Sequence, residues 1–155
     1  MGGRIEARLA EMGVALPAAP APAANYIPFV QVGEVLFVSG QISMAEGALI
    51  TGRLGETMTV EEGQLAARTC AINLLAQVRA ACGGDLDRLV RVVRLGGFVN
   101  CTADFTDQPK VINGASDLLA EALGEAGRHA RTAVGVPSLP MGVAVEIDGI
   151  FQIRG

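Results

Sequence analysis

Two charged residues interrupt apolar segments in the last third of the chain. Arg131 lies among small and apolar residues, and Glu146 interrupts a hydrophobic alternation on the face opposite its two neighbours. A charge in such a strand is commonly a surface residue at the edge of a sheet. The alternative is a site in which a guanidinium binds a carboxylate through paired hydrogen bonds while a carboxyl group moves protons. On that interpretation Arg131 is an anion clamp and Glu146 an acid or base.

The composition limits the classes of partner. The chain has 155 residues, with 16 acidic and 12 basic side chains and a net charge of -4. A phosphate-binding face needs clustered Lys and Arg, so we expect no nucleic acid partner. No segment approaches the ~20 apolar residues that cross a bilayer, so we expect no membrane span. Because 50% of the residues are hydrophobic in so small a chain, we expect contacts between copies.

The cysteines do not indicate a metal site or a disulfide framework. Cys70, Cys82 and Cys101 are an odd number and lack metal-ligand spacing. The amino terminus lacks the charged-then-apolar pattern of a secretory signal. We therefore predict reduced thiols, no bound metal and a cytoplasmic protein.

The first elements follow from periodicity and turn residues. Residues 4–12 carry apolar side chains at helical spacing, and the proline-rich residues 17–22 follow and would stop that helix. Residues 29–39 alternate and break at a Gly-Glu pair, which predicts a hairpin. We therefore divide the chain into an amino-terminal helix and Pro/Ala-rich arm, residues 1–24, and one domain, residues 25–155.

The later elements predict an α+β fold. A capping box at residues 59–62 begins a helix that Gly83 and Gly84 end, and a second helix is predicted near residues 107–123. The first of these helices carries an apolar stripe on one face: Ala67, Ala71, Leu74, Leu75, Val78 and Cys82. Strands are predicted over residues 89–99, 130–136 and 142–153. The order is ββαβαββ, and right-handed crossovers place both helices on one face of the sheet. A second subunit could cover the other face.

Three parts of the sequence resemble the YjgF/Rid family. Residues 129–148, HARTAVGVPSLPMGVAVEID, are similar to the family's carboxyl-terminal signature in residues and spacing. Residues 37–41, FVSGQ, resemble its first-strand motif, and Asn113 occupies a matching place in the second predicted helix. The resemblance extends over most of the chain, and the amino-terminal arm is typical of a longer, less characterised branch.

The resemblance implies a fold, an assembly and a chemistry. Family members have a chorismate mutase-like fold and form homotrimers with helices outside, sheets packed inward and a ligand cleft at each subunit boundary. The studied branch hydrolyses reactive enamines and imines, such as 2-aminoacrylate and 2-iminopropanoate, to a keto acid and ammonia. It needs no cofactor, so the implied partner is a small carboxylate-bearing metabolite.

The same resemblance implies roles for individual residues. Arg131 would bind the substrate carboxylate, and Glu146 would hold and activate the attacking water. Other substrate contacts would come from the remaining matched positions: Phe29, Ser39, Gly40, Asn113 and Ala133. For Ser39 and Asn113, local hydrogen bonding is an equal alternative. Ala133 and Phe29 replace a cysteine and a tyrosine of the studied members, so a thiol or phenol role is absent.

Two other functions stay open at this point. The trimer could bind a small carboxylate without turnover and serve regulation, which requires Arg131 but not Glu146. Parts of the family carry an endoribonuclease label, but metal-free RNA cleavage usually needs an acid/base pair with a basic phosphate site. The chain has one histidine, His129, and an acidic balance, which favours the deaminase hypothesis.

Overall fold

The structure, a computed structural model, describes residues 3–21 and 25–155. It has the predicted α+β architecture, with the ββαβαββ order in its main sheet. The helices are α1 (Arg4–Glu11), α2 (Val60–Ala81) and α3 (Gln108–Leu123). The strands are β1 (Phe29–Val32), β2 (Val35–Ile42), β3 (Met44–Ala45), β4 (Ala48–Leu49), β5 (Leu89–Asn100), β6 (Ala130–Val136) and β7 (Val145–Ile153).

Five strands form one sheet in the order β1-β2-β7-β5-β6. Strands β5 and β6 are parallel, and the other neighbours are antiparallel. The last strand, β7, is therefore central, and β6 lies at an edge. Strand β7 begins three residues later than predicted because residues 140–142 form a 3-10 turn, in which Met141 has a φ of 57°.

Strands β3 and β4 form a separate hairpin between β2 and α2, where the sequence predicted no strand. Each has two residues, too few to show an alternation. Glu46 and Gly47 both have positive φ, which closes the two-residue turn.

Helices α2 and α3 pack on the same face of the sheet and bury the main core. The capping box is confirmed: Glu62 N donates to Thr59 Oγ1 and Thr59 N donates to Glu62 Oε1. Helix α2 ends before Gly83 and Gly84, which both have positive φ. Every residue of its predicted apolar stripe is buried: Ala67, Ala71, Leu74, Leu75, Val78 and Cys82.

The opposite side of the sheet, which we call the open sheet face, carries exposed apolar side chains. Val30 pairs with Phe37, which pairs with Ile150, so all three point to this face. Phe37, in the middle of the β1-β2 hairpin, is 45% exposed. Such a surface is typical of a contact between proteins.

The predicted amino-terminal arm is packed against the domain. Ile5 and Leu9 of α1 are buried in the same core as the sheet. The Asp87 carboxylate accepts hydrogen bonds from the main-chain N–H groups of Arg4 (2.8 Å) and Ile5 (2.9 Å), and these two bonds lower the pKa of Asp87. Helix α1 ends at Glu11, before Gly13 with its φ of 76° and before the prolines that were expected to end it. The predicted stop at Pro22 lies outside the described residues.

Among the described helices, none combines the length and apolar character that a membrane crossing needs.

Candidate functional site

Arg131 lies on edge strand β6 and points to the helix side of the sheet. It pairs in register with Leu95, which is fully buried in the core beneath the helices. Its Nη1 donates to Ser116 Oγ at 2.9 Å, and its Nη2 donates to the main-chain oxygen of Pro109 at 3.0 Å. Both partners belong to α3, so the guanidinium is fixed against that helix.

The half-buried Arg131 side chain contributes to an open cleft of about 340 Å³ between α3 and the start of β6. The cleft contains Asn113, so the structure brings two of the predicted site residues together. Its other lining residues were not predicted as a group: Ser116, Asp117, Ala120, Gly127, Arg128 and His129.

Ser116 and His129 are hydrogen-bonded in this cleft. Ser116 Oγ lies 2.9 Å from His129 Nε2, and His129 Nδ1 lies 2.6 Å from the main-chain oxygen of Gly127. Burial lowers the pKa of His129, the nearby Arg131 charge lowers it further, and the Gly127 hydrogen bond opposes both. His129 directly precedes β6, and it lies on the same side as Arg131 because both side chains contact Ser116. Ser116 was missed, although it lies one helical turn after Asn113.

Glu146 lies on β7 and points to the open sheet face. It pairs with Phe98 of β5 and with Ile42 of β2. Its carboxylate covers Gly40 so closely that a Cβ atom at residue 40 would overlap Glu146 Oε2. Gly40 and Glu146 are therefore neighbours.

The Glu146 carboxyl is half-buried, and this burial raises its pKa. The carboxylate of Asp148, two residues later on the same face, raises it further. The pKa of Asp148 is itself raised by burial, with Arg94 acting in the opposite direction. A carboxyl with a raised pKa holds and releases protons closer to neutral pH than an exposed one.

Within one chain, Arg131 and Glu146 lie on opposite faces of the sheet. Their partners on β5, Leu95 and Phe98, are three residues apart and so point to opposite faces. A single copy therefore does not bring the guanidinium and the carboxylate into one cavity. The two predicted residues therefore lie in separate places, Arg131 in the cleft beside α3 and Glu146 beside Gly40.

The other predicted contacts have local packing roles in the single chain. Phe29 pairs with the buried Val38, and its ring packs against the core. Ser39 Oγ donates to the main-chain oxygen of Ile27 at 2.9 Å, a bond to a residue twelve positions earlier in the chain. Ala133 is half-buried against the core, two residues beyond Arg131 on the same side of β6.

A second cavity, of about 230 Å³, is separate from the Arg131 cleft and is lined in part by Gly40. Three carboxamides line it, Gln41, Asn73 and Gln77, together with apolar side chains that include Tyr26. Asn73 Nδ2 donates to the main-chain oxygens of Ile42 and Met44, which fixes the end of β2. This cavity was not predicted, because Asn73 and Gln77 lie on a face of α2 that is otherwise buried core and Gln41 lies on strand β2.

Over residues 3–21 and 25–155, no group of three or more His, Cys, Asp or Glu side chains is arranged to hold a metal ion. The three cysteines are buried and free.

Comparison with known proteins agrees with this fold and these motifs. The family model described as "YjgF/chorismate mutase-like, putative endoribonuclease" matches residues 6–148. The chain belongs to the YjgF family. Among its YjgF relatives, the protein TCP17 of Trypanosoma cruzi is 52% identical over 154 residues, 98% of this chain and 96% of TCP17. A 2-iminobutanoate/2-iminopropanoate deaminase of Dermatophagoides farinae is 29% identical over 143 residues, 91% of this chain and 95% of that protein.

Two solved structures of the YjgF type differ in how similar they are to this chain. Atu1372 of Agrobacterium tumefaciens is 51% identical, with a TM-score of 0.91 over 97% of this chain and 93% of that one. TdcF of E. coli, solved with bound serine, is 26% identical, with a TM-score of 0.62 over 88% of this chain and 94% of that one. The chain therefore has the YjgF fold and lies nearer to Atu1372 than to TdcF.

Proposed function

We propose that this chain is a cofactor-free hydrolase of small imino or enamino acids, which it converts to a keto acid and ammonia. The site is assembled between copies in a homotrimer, with Arg131 from one copy and Glu146 from a neighbour. The substrate carboxylate binds to Arg131, and Glu146 holds the water that attacks the imine carbon. The observation that carries the proposal is the half-buried Glu146 carboxyl, whose raised pKa suits proton transfer.

The Arg131 half-site supports carboxylate binding. A guanidinium has five N–H donors, and the bonds to Ser116 and to Pro109 occupy two of them. Three donors remain for a ligand in an open cleft, enough for the paired bonds that a carboxylate accepts. Because the side chain is already fixed against α3, little conformational entropy is lost when the ligand binds.

The Glu146 half-site supports water activation. A carboxyl group in this position can accept a proton from water as it attacks and return it to the departing nitrogen. The raised pKa of Glu146 makes both steps accessible near neutral pH. Gly40 leaves room for the carboxylate itself, because a Cβ atom at residue 40 would overlap Glu146 Oε2.

The placement of the half-sites supports an assembly of copies. Strand β6 is a sheet edge, and Arg131 lies on it. The open sheet face holds Glu146 among exposed apolar residues such as Phe37 and Val134. Packing the open face of one copy near the β6 edge of the next would cover the apolar surface and bring Arg131 to Glu146.

The names of two relatives are consistent with this chemistry. One, at 29% identity, is a 2-iminobutanoate/2-iminopropanoate deaminase. The other, TdcF, was solved with serine, an amino acid that carries the carboxylate that Arg131 would recognise.

The proposal is tested with an imine made in place by an amino-acid oxidase and trapped by semicarbazide. The wild-type protein should lower the rate of semicarbazone formation because it hydrolyses the imine first. Arg131→Ala should lower kcat/KM by about 100-fold, the cost of two charge-assisted hydrogen bonds. Glu146→Gln should lower kcat by about 10²–10⁴-fold. Arg8→Ala, which removes an exposed arginine of α1, is the matched control and should leave the rate unchanged.

A non-catalytic carboxylate-binding trimer is the second candidate. It is favoured by the position of Arg131, whose cleft contains donors for an anion but no Glu146 from the same chain. Under this alternative the wild-type protein binds a keto acid but does not accelerate the decay of several different imines. An RNA substrate tested in parallel, with Arg131→Ala as its control, examines the nuclease label of the family.

A further inference from the structure

Four groups in the Arg131 cleft form a continuous chain of hydrogen bonds. It runs from Arg131 Nη1 to Ser116 Oγ (2.9 Å), from Ser116 to His129 Nε2 (2.9 Å), and from His129 Nδ1 to the carbonyl of Gly127 (2.6 Å). The chain joins strand β6, helix α3 and the turn between them. No other hydroxyl contacts the Arg131 guanidinium among the described residues.

The chemistry of the two ends assigns every proton in this chain. A carbonyl oxygen only accepts, so His129 Nδ1 must carry its hydrogen. In a neutral imidazole Nε2 is then an acceptor, and the Ser116 hydroxyl donates to it. With its hydrogen so directed, Ser116 Oγ has a lone pair free to accept from Arg131, which only donates. With a neutral histidine, this is the one placement of hydrogens in which all three hydrogen bonds form.

We propose that Ser116 and His129 are positioning residues that hold the Arg131 guanidinium in the orientation that receives a ligand carboxylate. The inference rests on the proposed function only in taking Arg131 as the clamp. His129 fixes the rotor of the Ser116 hydroxyl, and Ser116 fixes one edge of the guanidinium, while Pro109 fixes another. The ligand is a small carboxylate, and neither Ser116 nor His129 has to contact it.

The neighbouring charges agree with a neutral histidine in this role. Arg131 and Arg128 from the β6 side line the cleft with His129, and Asp117 faces it from α3. Arg128 is paired with the exposed Glu125. A protonated His129 would place a further positive charge beside Arg131 and would turn Nε2 into a donor, so Ser116 could no longer donate to it. Within this series of bonds, only a neutral His129 therefore gives the Ser116 hydrogen an acceptor.

The test uses the oligomer as purified and pyruvate as the carboxylate probe. Binding is measured by calorimetry for the wild type, Ser116→Ala, His129→Phe and the double variant. Each single substitution should weaken pyruvate binding by about 3- to 10-fold, the effect of one lost hydrogen bond. Because both residues act through the same series of hydrogen bonds, the double variant should bind no more weakly than Ser116→Ala alone. Ser116→Thr, which keeps the hydroxyl, should restore wild-type affinity.

A spectroscopic measurement separates positioning from a purely structural role. Long-range ¹H–¹⁵N spectra of the single histidine should show a protonated Nδ1 and an unprotonated Nε2 in the wild type. Ser116→Ala should shift the Nε2 resonance, while Ser138→Ala, on an exposed loop serine, should change neither the spectrum nor the affinity.

The outcomes distinguish this inference from the proposed function. If the wild type binds pyruvate and Ser116→Ala binds it equally well, or if Nε2 carries the proton, the positioning chain is overturned and the clamp stands. Additive losses in the double variant also overturn it. If pyruvate binding and the tautomer behave as described but no imine is hydrolysed, the positioning chain stands and the hydrolase fails. A wild type that does not bind pyruvate overturns both.

Discussion

Arg131 and Glu146 lie on opposite faces of one sheet, with strand β5 between their strands. The relationship follows from pairing register, so a rotamer change in either side chain does not remove it. A site that uses both residues must therefore take them from different copies of the chain. This requirement makes the oligomer a part of the proposed chemistry. The requirement can be tested directly by mixing two variants.

Mixing two inactive variants should restore activity. In a site shared between copies, an Arg131→Ala chain still supplies Glu146, and a Glu146→Gln chain still supplies Arg131. Random assembly of equal amounts, by unfolding and refolding together, should give about a quarter of the wild-type imine hydrolysis. Each variant refolded alone is the control. If the mixture is as inactive as its components, the two residues act within one copy or not at all.

Substituting Phe37 should separate the copies. Phe37 is 45% exposed on the open sheet face, where a charge would have to be desolvated in an interface. Phe37→Asp should give a folded monomer by analytical ultracentrifugation, with unchanged circular dichroism and no imine hydrolysis. Leu65→Asp alters a residue that is 63% exposed on α2, on the helix side, and should leave the oligomer intact. An oligomer that survives Phe37→Asp would place the interface elsewhere.

Adding one methyl group at Gly40 should displace the Glu146 carboxylate. A Cβ at this position overlaps Glu146 Oε2, the flexible end of a side chain, so the carboxylate can move without unfolding the strand. Gly40→Ala should lower kcat by at least about tenfold, a part of what a lost acid/base group costs. In a Glu146→Gln background the same substitution should add no further loss to kcat. A further loss there would mean that Gly40 acts on the substrate directly.

Glu146→Gln should stabilise the protein while it removes activity. The folded state raises the pKa of Glu146, so the charged form at neutral pH opposes folding, and a neutral amide removes that cost. The gain should be present at pH 7 and should vanish below about pH 4, where the carboxyl is protonated in both states. Thermal unfolding followed at several pH values measures it. Glu56→Gln, at an exposed glutamate, is the matched control, and a pH-independent gain at residue 146 would contradict the burial argument.

The sequence predicts the elements well because their signals are local. The capping box at Thr59 and the apolar stripe of α2 are properties of adjacent turns of one helix, and both are confirmed. The alternation of β7 correctly places Glu146 away from Val145 and Ile147. The β3-β4 hairpin and the start of β7 were missed because two-residue strands and a 3-10 turn leave no periodicity to detect.

The arrangement of the candidate site depends on non-local pairing, which the sequence does not specify. Strand β6 has small residues on both faces, Ala130 and Thr132 on one and Ala133 on the other, so its composition does not indicate which face Arg131 takes. The pairing of Arg131 with the buried Leu95 places Arg131 on the helix side of the sheet. Ser116 was missed for a similar reason, because its partner His129 is thirteen residues away and reaches it only after β6 has paired.

The central place of β7 has a consequence for how the chain is made. Residues 145–153 are the last to be synthesised of all the sheet residues, yet they lie between β2 and β5 and join the two halves of the sheet. Until they emerge from the ribosome, the β1-β2 hairpin and the β5-β6 pair have no common neighbour, and their apolar edges stay open. The complete sheet therefore cannot form before residues 145–153 have been synthesised, and a nascent chain that stalls before residue 145 exposes two incomplete half-sheets that chaperones would have to shield.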